Sequence, residues 1–373
     1  MATPVVFRSP ASAPGDRGRR LGAAFPERIR HAADFYDRLF AASGIAPRDA
    51  AALALEAFDH VAAWSPAQAE EMEGIARGSG LPLGRIAALN ARTEILGRFG
   101  EQHPECSTLV HLPADGAPPA TAQTWDWHDG MRDGWFVWSV EHPGGRTVHM
   151  VTEYGIVGKI GVNSDGLGLH FNILGHTADR TAPAAGPWVP VHVAARHVLD
   201  TCTTVAEAAE LAASIPVAAS GSFTLAGHTR GRADAEAVEL SPAGAVRHRP
   251  RADGHLVRTN HFVDPGLAGG EAFGAADPGT YQRMKVLRER TAEAGPADRA
   301  DLLDALACHP EHGAEVCCHA APEAELGKRW ETLATVVLDV ARGAWPRTPA
   351  APAPGTRDPG PRPADPAGVN GER

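Results

Sequence analysis

The sequence changes texture at Cys106, and that change limits the folds open to it. Before Cys106, apolar residues recur at helical spacing. From Phe25 to Phe40 they are Ile29, Ala32, Ala33, Phe35, Tyr36, Leu39 and Phe40, which share one helical face. AALALEAFDHVAAW predicts a second helix. Pro66 after Ser65 suits the first position of a third, which closes on glycines at ARGSG, and a short helix follows through Leu89. Residues 1–24 read as an irregular N-terminus.

After Cys106 come short β-type runs: CSTLVHL, ATAQTWDW, GWFVWSVEH, RTVHMVTEY, VGKIGVN and GLGLHFN. Turn signals separate them at Asp115-Gly116, Pro143-Gly144-Gly145 and Asp165-Gly166. Helices return at 190–200 and 204–214, the second opened by a capping box, Thr204 with Glu207. Strands resume with SFTLAGH, EAVEL and HLVRTNHF. Helices follow around Tyr281–Thr291 and 299–307, then a last strand, TLATVVLDV. Strands in hairpin-like succession favour antiparallel sheets covered by helices, an α+β architecture. The Pro- and Ala-rich residues 346–373 have no apolar face to bury and read as a disordered tail.

Charge narrows the function classes. Lys plus Arg is 35 and Asp plus Glu is 45, a formal net charge of −10, with no basic run. That speaks against nucleic acid or an anionic membrane as partner. No stretch approaches the ~20 apolar residues of a membrane span, and the N-terminus lacks a signal-peptide core, so a cytoplasmic location is expected. Five cysteines in 373 residues make no disulfide scaffold.

One of them stands where chemistry is plausible. Cys106 opens the first strand after a Gly- and Pro-bearing segment, FGEQHPE. A free cysteine is most often a buried packing residue, so position alone does not make it a nucleophile. The surrounding motifs do more. NARTEIL, ECSTL, QTWDW, TEYGIVGKIGVNSDGLGLHFNIL, RTNHF, VCCH and TLATVVLDV occur in order over roughly residues 25–345. Together they resemble the acyl-coenzyme A:6-aminopenicillanate acyltransferase (isopenicillin N acyltransferase) family of N-terminal nucleophile hydrolases.

The resemblance implies a four-layered αββα sandwich and a proenzyme that cuts its own Glu105–Cys106 bond. A helical fragment, residues 25–105 with the N-terminus, would stay bound to the portion 106–345. Cys106 would be the nucleophile, Asp126 would orient the new α-ammonium, and Asn260 would face the developing oxyanion. Glu153, Tyr154 and Asn172 fall in segments that would line the pocket. The implied partners are the chain's own N-terminal fragment and a small-molecule amide or acyl donor, by analogy a coenzyme A thioester; no cofactor is implied. Hydrolysis of small aminoacyl amides on the same fold is the alternative chemistry.

The residues themselves supply a reason for such a design. A thiol of pKa about 8.5 needs a base, and a freed α-amino group of pKa about 7.7 to 8.0 can serve. Asn90, Arg92 and Glu94 read as part of the junction between fragments, with Arg92 and Glu94 facing alike on an extended segment. One departure stands out: Cys318 occupies the place of a family arginine, whose charge Lys328 or Arg329 could replace. Cys308, His309, His312, Cys317, Cys318 and His319 also crowd together, which raises a zinc-stabilised, uncut binding protein as the rival reading. Adjacent Cys317 and Cys318 fit one ion poorly, so the expectation is a loop near the pocket and no metal.

Overall fold

The computed structural model describes residues 4–99, 106–181, 187–294, 298–321 and 323–344. Glu105 and the tail 346–373 therefore lie outside the described residues. The expectation of an irregular N-terminus is corrected: Val6–Ser9 is a strand, β1, and Pro14–Ala24 a helix, α1. A four-residue strand is too short to show alternation. The glycines of α1, ordinarily poor helix formers, are there because the helix lies against backbone. α1 packs on α4 (Pro66–Ser79), and a Cβ on Gly18 would sit 2.0 Å from Glu71 O, one on Gly78 2.2 Å from Arg19 O.

Between and after these run α2 (Pro26–Ala42), α3 (Pro47–Trp64), α5 (Leu83–Asn90) and α6 (Arg92–Phe99). α1 to α4 each open on a proline, whose fixed φ and missing N–H cost nothing there. Ser65 stands at the start of α4, but its side chain makes no capping bond. The extended reading of Arg92 and Glu94 is also corrected: both lie in the first turn of α6, and each bonds a different element.

The β-type runs pair as expected. β2 (Ser107–His111) and β3 (Ala120–His128) are antiparallel, with Ser107 opposite Thr124. β4 (Trp135–Glu141), β5 (Thr147–Glu153), β6 (Ile160–Asn163) and β7 (Leu167–Ile173) form a meander. After α7 (Val191–Thr201) and α8 (Val205–Ser214) it continues through β8 (Gly221–Thr229), β9 (Arg232–Ser241) and β10 (Gly244–His248). The capping box of α8 forms as expected: Thr204 Oγ1 accepts from Glu207 N at 3.2 Å, and Glu207 Oε2 from Thr204 N at 3.2 Å. β11 (His255–Arg258) returns to β2. Two short helices, α9 (Pro265–Ala268) and α10 (Phe273–Ala276), lead into α11 (Gly279–Ala294) and α12 (Arg299–Leu306). β12 (Trp330–Val337) pairs with β3.

The result is an eight-stranded sheet, β1-β4-β5-β6-β7-β8-β9-β10, and a four-stranded sheet, β11-β2-β3-β12. Their inner faces meet where Val110 and Leu256 pack on Ala226, Ala235 and Ala237. Outside the small sheet, Leu109, Ala122, Val257 and Val337 pack on Met284, Leu287, Leu302 and Leu306 of α11 and α12. α7 and α8 cover the outer face of the large sheet, so the expected αββα layering is present. α4 is tied to α7 by Gln68 Nε2, which donates to Val193 O at 3.3 Å, and by a buried Glu71–Arg196 pair.

Candidate active site

Cys106 precedes β2, and strand alternation decides where its thiol points. Ser107 and Leu109 face α11 and α12, where Ser107 Oγ accepts from Arg283 Nη1 at 3.1 Å. Thr108 and Val110 face the space between the sheets, where Thr108 Oγ1 donates to Asn172 Oδ1 at 2.7 Å. Cys106 belongs to this inner set, with Trp125 and Trp127 in the same core. It is 4% exposed, and its Sγ contacts Asp126 O at 3.6 Å. Burial, with the Asp126 carboxylate nearby, pushes the thiol up to about 11.

The main chain of Cys106 is gripped. Its carbonyl accepts from Asn172 Nδ2 at 3.0 Å and from Arg283 Nη1 at 3.1 Å. The same guanidinium donates to Asn260 Oδ1 at 3.3 and 3.2 Å, and Asn260 Nδ2 donates to Ile173 O at 2.8 Å. Cys106, Asn172 and Asn260, separated in sequence, therefore converge around Arg283 of α11. Asp126 is fully buried and accepts from Thr332 Oγ1 at 2.6 Å and Thr124 Oγ1 at 3.3 Å.

A second charged group lies on the inner side. Glu153, at the end of β5, takes Arg92 Nη2 at 2.5 Å and Lys159 Nζ at 3.0 Å on one oxygen, Oε1. Tyr36 of α2 donates to Oε2, and Trp127 Nε1 donates to Tyr36 OH at 2.8 Å. Burial alone would raise the carboxyl; Arg92 and Lys159 outweigh it and hold it at about 2. Burial drives Lys159 down to about 8, against the pull of Glu153. Its ammonium sits 3.9 Å from the Trp125 ring centroid, and the Arg92 guanidinium 4.3 Å from that of Trp127.

Not every expected residue gathers here. Tyr154 stacks on Phe136 at 4.5 Å and packs against Phe25, so it is a core residue and not a neighbour of the thiol. Cys318 stands behind Asp126: its N donates to Thr332 Oγ1 at 2.9 Å, the hydroxyl that binds Asp126. Neither suggested replacement for the family arginine takes that role, because Arg329 pairs with Asp129 and Lys328 with Glu325. Of the crowded Cys and His residues, His309, Cys317 and His319 bring ligand atoms within 4.8 Å of one another. Cys308 Sγ instead faces Ala314 O at 3.3 Å, and Cys318 Sγ faces Trp330 O at 3.3 Å.

Lys159 and Arg283 were not anticipated. Lys159 had a signal, a single charge inside the apolar run IVGKIGV. Arg283 had none, since α11 also carries Arg288 and Arg290.

Comparison with known proteins supports the family resemblance. The family profile "Acyl-coenzyme A:6-aminopenicillanic acid acyl-transferase" matches residues 113–347, a stretch that starts after Cys106. The 40 kDa form of acyl-coenzyme A:6-aminopenicillanic-acid-acyltransferase of Emericella nidulans is 30% identical over 198 residues, 53% of this chain and 52% of that protein. The chain thus spans about half the length of the curated relative it matches. Penicillin V acylase from Agrobacterium tumefaciens superposes with a TM-score of 0.42 and 16% identity, over 64% of this chain and 80% of that one.

Proposed function

This chain belongs to the acyl-coenzyme A:6-aminopenicillanic acid acyl-transferase family, and from that premise we propose a self-processing N-terminal nucleophile enzyme that cleaves or transfers an acyl group through Cys106. The observation that carries the proposal is the grip of Asn172 and Arg283 on the carbonyl of that one cysteine, with Asn260 held by the same guanidinium.

Two states of the chain have different chemistry. In the uncut chain the nitrogen of Cys106 is an amide and the thiol, at about 11, is almost wholly protonated at neutral pH. Cleavage of the Glu105–Cys106 bond frees an α-amino group of pKa about 7.7 to 8.0 on the same residue. That amine takes the thiol proton as sulfur attacks the acyl carbonyl. The tetrahedral oxyanion meets the second N–H of the Asn260 amide, a donor that carries no titratable proton in this range. The leaving amine or thiol departs with a proton, and an acyl-thioester on Cys106 remains. Water or an acceptor amine then attacks it. Hydrolysis and transfer share this intermediate, and an acyl-coenzyme A donor is the family's suggestion. The buried Asp126 carboxylate, held by two threonine hydroxyls, is the counter-charge for the new α-ammonium.

Trp125 adds a polar handle. Its Nε1 is buried without a partner among the described residues, on the face that carries the thiol. The carbonyl of an acyl group bound beside the thiol would satisfy it.

Intact-mass analysis of freshly purified protein tests the proposal. Two copurifying fragments, residues 1–105 and 106–373, are expected from the wild type and one chain from Cys106→Ala. An active enzyme that remains a single chain sinks both self-cleavage and the α-amino base.

A further inference from the structure

The reading above leaves the first cut without a base, because the α-amine does not exist until that cut is made. Resting on that reading, we propose that Lys159 is the proton carrier for self-cleavage, taking the proton of the Cys106 thiol and delivering it to the Cys106 nitrogen as the peptide bond breaks.

Placement supports this in two steps. Ser107 pairs with Thr124, so the position before it, Cys106, comes opposite Trp125 across the strand pair, with both side chains on the inner face. The Lys159 ammonium lies 3.9 Å from the centre of that Trp125 ring. Lys159 and the thiol, both buried, accordingly act on each other electrostatically.

The charge count then says which group gives up a proton. Arg92 and Lys159 share one oxygen of a single carboxylate, and all three groups are buried. With both cations protonated the cluster holds one uncompensated positive charge in a dry site, which is costly. Arginine does not deprotonate under these conditions, so lysine is the group that can become neutral. When it does, a neutral Arg92–Glu153 pair remains. Three of the groups around it keep one state between pH 6 and 9. Glu153, from β5, is ionised, and Tyr36, from α2, is raised well above its usual range. His192, from α7, is held neutral by burial and by Arg92 and Lys159 themselves. Glu94, raised to about 7 by burial, is the group that does titrate in this range; it accepts from Val191 N at 2.8 Å and acts on the cluster through Arg92, not directly on Lys159.

The step balances without a co-reactant. Neutral Lys159 accepts the Sγ proton, and sulfur bonds to the Glu105 carbonyl carbon. The carbon–nitrogen bond breaks as the nitrogen receives the proton from the Lys159 ammonium. A Glu105 thioester on Cys106 and a free α-amine result, and Lys159 is neutral again. Water then hydrolyses the thioester, now with the α-amine as base.

Time-resolved intact mass of the full chain, made by cell-free synthesis and held at pH 6 to 10, tests this. Wild-type processing should speed up with pH and level near pH 8. Lys159→Arg keeps the charge and removes the base; Lys159→Met keeps the volume and removes the charge. Either variant, with its thermal midpoint retained, should process at least ~10²-fold more slowly, the scale of a lost general base. The levelling near pH 8 should vanish in both. A wild-type rate that is flat across this range overturns the assignment without recourse to any variant. So does a folded Lys159→Arg that processes within threefold of wild type on the same pH profile. A wild-type chain that never cuts is a different result, the failure of the self-processing reading itself.

Discussion

Asn260 has two amide N–H bonds, and the fold spends one on Ile173 O at 2.8 Å. Its oxygen is taken by Arg283, which fixes the plane of the amide and so the direction of the remaining N–H. Asn260→Ala should lower kcat of the processed enzyme by ~10² to 10³, the scale of a deleted oxyanion donor. The protein should still fold and still copurify as two fragments. Steady-state turnover decides it: an unchanged kcat would leave Asn260 as an anchor for Arg283 and β7. Much of this site could be read from the sequence, because Cys106, Asp126, Asn172 and Asn260 each sit in a recognisable motif. Tyr154 misled, since a motif fixes a residue's place in the chain but not which way its side chain points. Glu153 is the last residue of β5 and reaches Lys159, whereas Tyr154, in the turn that follows, stacks on Phe136. Arg283 stayed hidden for another reason. Its importance lies in reaching Cys106 across a tertiary contact, and an arginine on a half-exposed helix carries no local mark of that.

The α1–α4 pair shows the same limit in a whole element. Gly18 and Gly22 of α1 lie against the backbone of Glu71, Ile75 and Gly78, and Gly74 and Gly78 of α4 against that of Gly15, Arg19 and Ala23; the spacing of four residues lines each pair up on one helical stripe. Cβ atoms on Gly74 and Gly78 would come within 2.2 Å of Gly15 O and Arg19 O. Backbone cannot yield as a side chain does, so Gly78→Val should push the helices apart and strain the buried Arg17–Glu71 pair beside them. The expected loss is about 1 to 3 kcal/mol, the range for overpacking, read as a lower thermal midpoint. Gly84→Ala is the control, since its Cβ would meet only Leu55 Cδ2, at 3.7 Å; it should be neutral or slightly stabilising. Equal effects from both would mean that the close approach is not what the glycines are for. From sequence, residues 1–24 read as irregular, and only the partner helix explains the glycines of α1. The strands after Cys106 were readable because alternation and turn glycines agree over several residues. β10, mostly exposed, lacks that pattern.

The cut, if made, would divide a molecule whose two parts share one interior. β1 lies along β4 at the edge of the large sheet. Asn90 of α5 donates to Gly155 O at 2.9 Å and accepts from Val157 N at 2.9 Å. Glu94 receives Val191 N, Glu71 meets Arg196, and Tyr36 and Arg92 close on Glu153. All of these join residues before position 105 to residues after it, and most are buried. Uncovering one partner of a buried ion pair costs about 3 to 5 kcal/mol. A whole domain is stable by only about 5 to 15 kcal/mol. Neither fragment can therefore leave the other and remain folded. The processed protein should elute as one species and melt in a single calorimetric transition. Its melting should also differ in kind from that of the uncut chain. Unfolding of the cut form releases two chains from one particle, so its thermal midpoint should rise with protein concentration. The uncut Cys106→Ala chain unfolds to one particle, and its midpoint should not move. Calorimetry of both proteins over a hundredfold range of concentration separates the cases. Two resolved transitions in the processed protein, or fragments that part in native buffer, would show that the helical portion and the sheets are independent units.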